Sequence, residues 1–169
     1  MSRHGMLEMT APSDREVFFT RDFNAPPDLV FDAWTKPELL KQWLYGPDGW
    51  FMAECKVDLK VGGAYRFVWG HKDGQRMAMG GTYKEIARPH RLVTTELFDE
   101  DWTGGETLVM LRISEKPDGG AHTEMTVLYS SKEARDTAMK TGMADGMEMS
   151  FARLDGIFDA DKKGEAAIG

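Results

Sequence analysis

Apolar residues near the C-terminus recur at spacings of four, four, three and four: Met143, Met147, Phe151, Leu154 and Phe158. That period puts all five on one face of a helix, and such a face needs a cover. Upstream the period changes to two. Phe51, Ala53, Cys55, Val57 and Leu59 alternate with Met52, Glu54, Lys56 and Asp58, which predicts a strand with one dry face. Gly62 and Gly63 make a turn, after which Tyr65, Phe67 and Trp69 alternate with Arg66 and Val68. The loop at Asp73 and Gly74 closes a hairpin onto a strand from Arg76 to Ile86. Further strands are predicted from Arg91 to Phe98, Thr107 to Ser114 and Thr123 to Ser130, separated by segments of loop composition that include Gly104-Gly105. With Glu16 to Phe23, where Val17, Phe19 and Arg21 share a face, the count of strands is seven.

Two short helices follow the first strand. Pro26 and Pro27 stop the strand, and Pro27 suits a first helical turn whose apolar side is Leu29, Val30, Ala33 and Trp34. Thr35 is the expected cap of the next helix, which Pro37 opens, Leu39, Leu40 and Trp43 line, and Gly46-Pro47 ends. Ser131 caps a helical stretch beginning at Lys132. Gly142 and Gly146 interrupt it before the main helix, which runs to about Ala160. Residues 1–14 and 161–169 read as flexible tails around a single domain of residues 15–160.

The order strand, two short helices, six strands, long helix is an α+β helix-grip arrangement: a curved antiparallel sheet of six or seven strands wrapped around a C-terminal helix. The segment Asn24-Ala25-Pro26-Pro27-Asp28-Leu29-Val30-Phe31-Asp32-Ala33-Trp34-Thr35 resembles the first strand-to-helix junction of START-like (SRPBCC) proteins. Pro37-Glu38-Leu39-Leu40-Lys41-Gln42-Trp43, Gly62-Gly63-Ala64-Tyr65-Arg66-Phe67, Gly81-Thr82-Tyr83-Lys84-Glu85-Ile86 and Arg91-Leu92-Val93 resemble the branch similar to the C-terminal domain of the activator of Hsp90 ATPase. The resemblance covers about Arg15 to Ala160. Where family members commonly carry Gly-Trp entering the last helix, this chain has Gly146-Met147, a change in the expected cavity wall. The resemblance implies a ligand cavity between sheet and helix, or a chaperone partner and a place in the stress response.

Composition narrows the function classes. With 28 acidic and 21 basic residues among 169 the net charge is -7, and no Lys/Arg-rich run offsets it, so nucleic acid and anionic membrane are not expected partners. The opening MSRHGMLEMTAPSD lacks the apolar core of a signal peptide, and a cytoplasmic protein is expected. A lone Cys55 leaves no internal disulfide and no thiolate cluster, and it reads as a small buried side chain. His4, His71, His90 and His122 fall in the tail or in loops without metal-ligand spacing, and Ser130 and Ser131 lack a nucleophile elbow. No metal, no cofactor and no catalytic residue is assigned.

What remains is an apolar inventory suited to a pocket. Trp43, Trp50, Trp69, Met77, Met79, Tyr83 and Met110 are expected to meet Met143, Met147 and Phe151 of the long helix. Unbranched methionine repacks around ligands of irregular shape, although the same residues would equally build a solid core. Among the charges inside strands, Glu54, Arg66, Glu96, Arg112 and Glu124, alternation turns Arg66 outward. Glu96 is ambiguous, because Leu92 and Phe98 share its parity while Val93 and Leu97 take the other. Facing inward it would have a raised pKa and serve as an acid, a base or a ligand anchor; facing outward it would join a cross-strand ion pair. Asp99, Glu100 and Asp101, ahead of Trp102, read as a solvated loop. Three functions stay open: binding, carriage or sensing of a hydrophobic small molecule without catalysis; a chaperone cofactor; and a small enzyme using Glu96 with Tyr83. Pairing of edge strands into a homodimer is left open as well.

Overall fold

The structure, a computed structural model, describes residues 7–100 and 105–168. Eight strands form one antiparallel sheet in the order β1-β2-β8-β7-β6-β5-β4-β3. In chain order these are β1 (Glu8–Ser13), β2 (Glu16–Phe23), β3 (Trp50–Val57), β4 (Ala64–His71), β5 (Arg76–Ala87), β6 (Arg91–Phe98), β7 (Thr107–Glu115) and β8 (Ala121–Leu128). Helices α1 (Pro27–Thr35) and α2 (Pro37–Trp43) join β2 to β3, and α3 (Lys132–Met139) leads into the long α4 (Met143–Ile168). This is the expected helix-grip fold with one strand more than the pattern predicted.

The additional strand lies in the expected N-terminal tail. β1 pairs with β2 through Glu8–Thr20, Met9–Phe19 and Thr10–Phe18. It is mostly exposed, so ladder hydrogen bonds hold it rather than burial, and a search for apolar periodicity is blind to such a strand. The amide of Leu7 also donates to Glu148 Oε1 at 3.1 Å, fastening the start of the described chain to α4. At the other end α4 continues to Ile168, past the expected stop near Ala160.

Local chemistry departs from the pattern at three places. β3 carries one extra residue against β4: Met52 faces Trp69, but Glu54 faces Val68. This bulge at Ala53 reverses the alternation. Met52 is therefore buried and Phe51 is 51% exposed, the opposite of the expected dry face, while Cys55 and Val57 keep to the core side. Thr35 does not cap α2; it is buried in α1, where its hydroxyl donates to the Phe31 carbonyl at 2.9 Å, and Lys36 takes the cap position. Gly142, with φ of +74°, separates α3 from α4 as expected, whereas Gly146 lies inside α4. Ser131 caps α3 as predicted, accepting from the Ala134 amide at 3.0 Å.

The core divides along α4. Its middle is packed solid: Phe23 meets Trp34, Phe151 and Phe158 edge-on at 5.9, 5.5 and 6.0 Å, and Leu154 is fully buried. Each such side chain contributes roughly 1.5–3 kcal/mol. Arg21 fixes the register of helix on sheet. It is buried beside Val17, Phe19 and Phe23 on the inner face of β2, where it donates to both oxygens of Asp155 at 2.8 Å and to Glu148 at 3.1 Å. Its guanidinium also lies 4.9 Å from the centre of the Phe23 ring. Removing one partner of so buried a group costs roughly 3–5 kcal/mol, because the other charge is left without compensation.

Candidate functional site

Toward its N-terminal end α4 lifts from the sheet, and a cavity of about 440 Å³, partly open to solvent, lies between them. Each wall follows from strand parity. On β4 the inward set is Tyr65, Phe67 and Trp69, and their β5 partners are Gly81, Met79 and Met77. On β6 the inward set is Leu92, Thr94, Glu96 and Phe98, and β7 adds Val109 and Leu111. Trp34, Leu40 and Trp43 of the short helices close one side, and Met143, Met147, Ser150 and Phe151 of α4 close another. Two indoles are fixed by backbone carbonyls: Trp43 donates to Ala33 at 2.9 Å and Trp69 to Leu44 at 2.8 Å.

Ten of the eleven residues expected from the sequence line this cavity: Trp43, Trp50, Trp69, Met77, Met79, Tyr83, Glu96, Met143, Met147 and Phe151. Met110 does not. It pairs with Val93 and Thr126 and lies among Phe18, Arg91, Arg112 and Glu124 on the outer face of the sheet. Its neighbours Val109 and Leu111 take the inward parity, so alternation along β7 excluded Met110 even though its residue type suited the pocket. The same parity rule would have added Tyr65, which the sequence placed on an aromatic face. Trp34, Met125 and Tyr129 are further wall residues that carried no separate signal.

Beside Glu96 the β5–β6 ladder has a gap: the pairs Gly80–Leu97 and Tyr83–Thr94 keep one register with the positions between them unpaired, and the register shifts only further on, between Tyr83 and Glu85. In the gap the Tyr65 hydroxyl donates to the Thr95 carbonyl, and the Thr82 amide donates to the Thr95 hydroxyl at 2.9 Å. A Cβ on Gly81 would sit 1.9 Å from that carbonyl oxygen, so only glycine permits the approach. Glu96 shares the inward parity of Leu92, Thr94 and Phe98, faces Thr107 of β7 across the ladder and turns its side chain to the cavity.

The carboxyl of Glu96 has no hydrogen-bond or ion-pair partner among the described residues. Loss of hydration raises its pKa to about 7. Burial, with the Glu96 charge as a further contribution, also pushes the Tyr65 and Tyr129 phenols up. The Tyr83 phenol is raised as well, through burial first and then Cys55 and Asp58 rather than Glu96. The group associated electrostatically with Glu96 is therefore not the expected Tyr83. A carboxyl poised near neutrality in an apolar space can exchange a proton or hold a donor group of a bound molecule.

Other charged candidates belong to the surface. Arg66 pairs with Asp99 at 2.7 Å, and Glu54 pairs with Lys56 at 2.9 Å. His71 bonds Asp73, and His90 bonds the Ile113 carbonyl. His122 lies in β8 rather than a loop and pairs with Asp22. Burial pushes the Cys55 thiol up to about 11, so it is protonated at neutral pH. His4, Asp101, Trp102 and Gly104 lie outside the described residues. Among the described residues no three His, Cys, Asp or Glu side chains are grouped to hold a metal, and no helix is long and apolar enough to cross a membrane.

A curved antiparallel sheet gripping a C-terminal helix around an apolar cavity defines a START-like domain. The chain belongs to the family described as Activator of Hsp90 ATPase homolog 1-like protein, whose model matches residues 24–159. Among solved structures, a Rhodobacter sphaeroides protein is 37% identical, with a TM-score of 0.86 over 92% of this chain and 99% of its own. A Nitrosomonas europaea protein shares the fold at 21% identity, with a TM-score of 0.79 over 90% of this chain and 99% of its own. The AHSA1 protein of Silicibacter pomeroyi does so at 22% identity and a TM-score of 0.69, over 86% of this chain and 99% of its own. None of the curated proteins compared with the chain matches it.

Proposed function

We propose that the protein binds a hydrophobic small molecule between sheet and helix, as a carrier or sensor rather than as a catalyst. The observation that supports this reading is the cavity itself: about 440 Å³, in the size range of small-molecule sites, with walls dominated by aromatic and methionine side chains. A chain with no ligand to accommodate would be expected to fill such a volume, since empty apolar space destabilises a core. Met143 and Met147 can repack around differing shapes.

The first test is native mass spectrometry of freshly purified protein against the same sample denatured. The expected result is a mass difference from a retained small molecule. Its companion is Met147→Trp, which fills the cavity from α4: binding of a hydrophobic dye is expected to be lost while the circular dichroism spectrum is kept. A Met147→Trp protein that binds the dye as tightly as the parent would overturn the cavity reading.

A chaperone partner, which the family's description raises, is the second reading. The feature that favours it is the exposed apolar surface at the two ends of β3, Phe51 near its start and Leu59 and Val61 beyond its end in the turn into β4. A folded protein that retains no small molecule would move weight to that surface.

A further inference from the structure

We infer that the cavity selects hydrophobic cations, aryl or alkyl amines, and that Glu96 is the side chain that anchors their charged nitrogen. The inference rests on the proposed binding function and names the ligand class of the same site. Its first support is composition of the wall. Among the described lining residues Glu96 carries the sole carboxyl, and there is no Lys, Arg or His. Arg153 of α4 is not among them: its guanidinium lies 3.8 Å from the centre of the Tyr45 ring and donates to Asp48.

The second support is that the carboxyl is unpaired. The strand carboxylates Glu54 and Asp22 have cations beside them, Lys56 and Lys116, whereas Glu96 faces the cavity with none among the described residues. An anionic ligand would meet the Glu96 charge and find no counter-charge. A neutral ligand without a donor would leave the carboxyl unsatisfied when water is displaced, and a neutral donor gives it only an uncharged hydrogen bond. An ammonium group satisfies it with a charge-assisted hydrogen bond. Aromatic rings among the lining residues, Tyr65, Trp69, Tyr83 and Tyr129, suit the same cation through their quadrupoles. The net charge of -7 also favours approach of a cation.

The titratable groups facing Glu96 set the pH dependence. Tyr65 from β4, Tyr83 from β5 and Tyr129 after β8 all have raised pKa values and stay neutral through the physiological range. Glu106, exposed just before β7, adds a charge of the same sign as Glu96. α4 contributes Met143, Met147, Ser150 and Phe151, none of them titratable in that range. Among these described groups Glu96 alone changes charge, at about pH 7 in the empty protein. Amine binding therefore strengthens as pH rises from 6 to 8.

Isothermal titration with three molecules of one skeleton tests this: 1-naphthylmethylamine, 1-naphthylmethanol and 1-naphthoate. At pH 8 the amine is expected to bind about tenfold more tightly than the alcohol, one charge-assisted hydrogen bond's worth, with the carboxylate weakest. At pH 6 the preference shrinks. Glu96→Gln, which keeps the shape of the side chain, is expected to bind amine and alcohol alike at both pH values. A carboxylate that binds as well as the amine, or an amine preference that survives Glu96→Gln, overturns the inference. If the alcohol binds the parent but not Met147→Trp and the amine has no advantage, the cation assignment alone falls. If none of the three binds, the cavity reading falls with it.

Discussion

Glu96 is the residue at which the domain accepts a loss of stability. Its pKa is 4.5 as a free side chain and about 7 in the fold. Between those values the unfolded chain is ionised while the folded one still holds its proton, so stability falls as pH rises through the window and the full penalty stands above it. Glu96→Gln removes the charge, and the variant is expected to exceed the parent by about 2 to 3 kcal/mol at pH 8, with the difference vanishing near pH 4. Urea denaturation across that range measures it. A gap that does not change with pH would mean that the carboxyl is hydrated in the folded state. The sequence carried half of this result: Leu92 and Phe98 share the parity of Glu96, but Val93 and Leu97 offered an equally apolar opposite face. Which of the two faces of β6 meets the cavity is settled by how the sheet packs against α4, a tertiary feature with no local signature.

At the scale of elements, strand parity decides which residues reach the cavity, and irregularities adjust it locally. The gap between β5 and β6 depends on Gly81, whose missing Cβ lets Thr95 and the Tyr65 ring come close. Gly81→Ala is expected to destabilise the domain by about 2 kcal/mol or more through displaced backbone. Gly80→Ala places its Cβ 3.2 Å from the Tyr65 carbonyl, a tight but tolerable contact, and should be near neutral. Equal thermal shifts in the two variants would contradict this account of the gap. Parity read β2 and β4 correctly because Val17, Phe19 and Arg21 of the one, and Tyr65, Phe67 and Trp69 of the other, keep one face on the core. It failed at β3, where the extra residue Ala53 exchanges the faces of Phe51 and Met52, and at β1, which hides no apolar face. The link from Arg21 to Glu148 and Asp155 was equally out of reach, since it joins residues more than a hundred positions apart whose types are common on surfaces. The α4 stripe, by contrast, was legible from spacing alone.

For the molecule as a whole, the two ends of the sheet and the two stretches of α4 have different tasks. β1 and β3 are the edge strands, and any pairing of two copies through the sheet would have to use one of them. Around Phe151, Leu154 and Phe158 the helix is clamped by solid packing and by Arg21, so the framework keeps its shape whether or not the cavity is filled. Around Met143 and Met147 it faces space. Stability and adaptability are thus assigned to separate stretches of one helix, which permits the methionine wall to vary without loss of the fold.

The placement of the indoles has a practical outcome. Of the five tryptophans, Trp34, Trp43, Trp50 and Trp69 all line the cavity. Anything that displaces water from that space changes the surroundings of most of the fluorophores at once. Filling the cavity with a naphthyl compound is expected to alter the intrinsic emission, in intensity or wavelength, in a saturable manner, and the response should shrink but persist when Trp69→Phe and Trp50→Phe are combined, because Trp34 and Trp43 still line the cavity. An emission spectrum indifferent to a compound that calorimetry reports as bound would place that compound elsewhere on the protein. The chain thus contains its own optical gauge of occupancy, and candidate ligands can be screened by titration in a cuvette with no label attached.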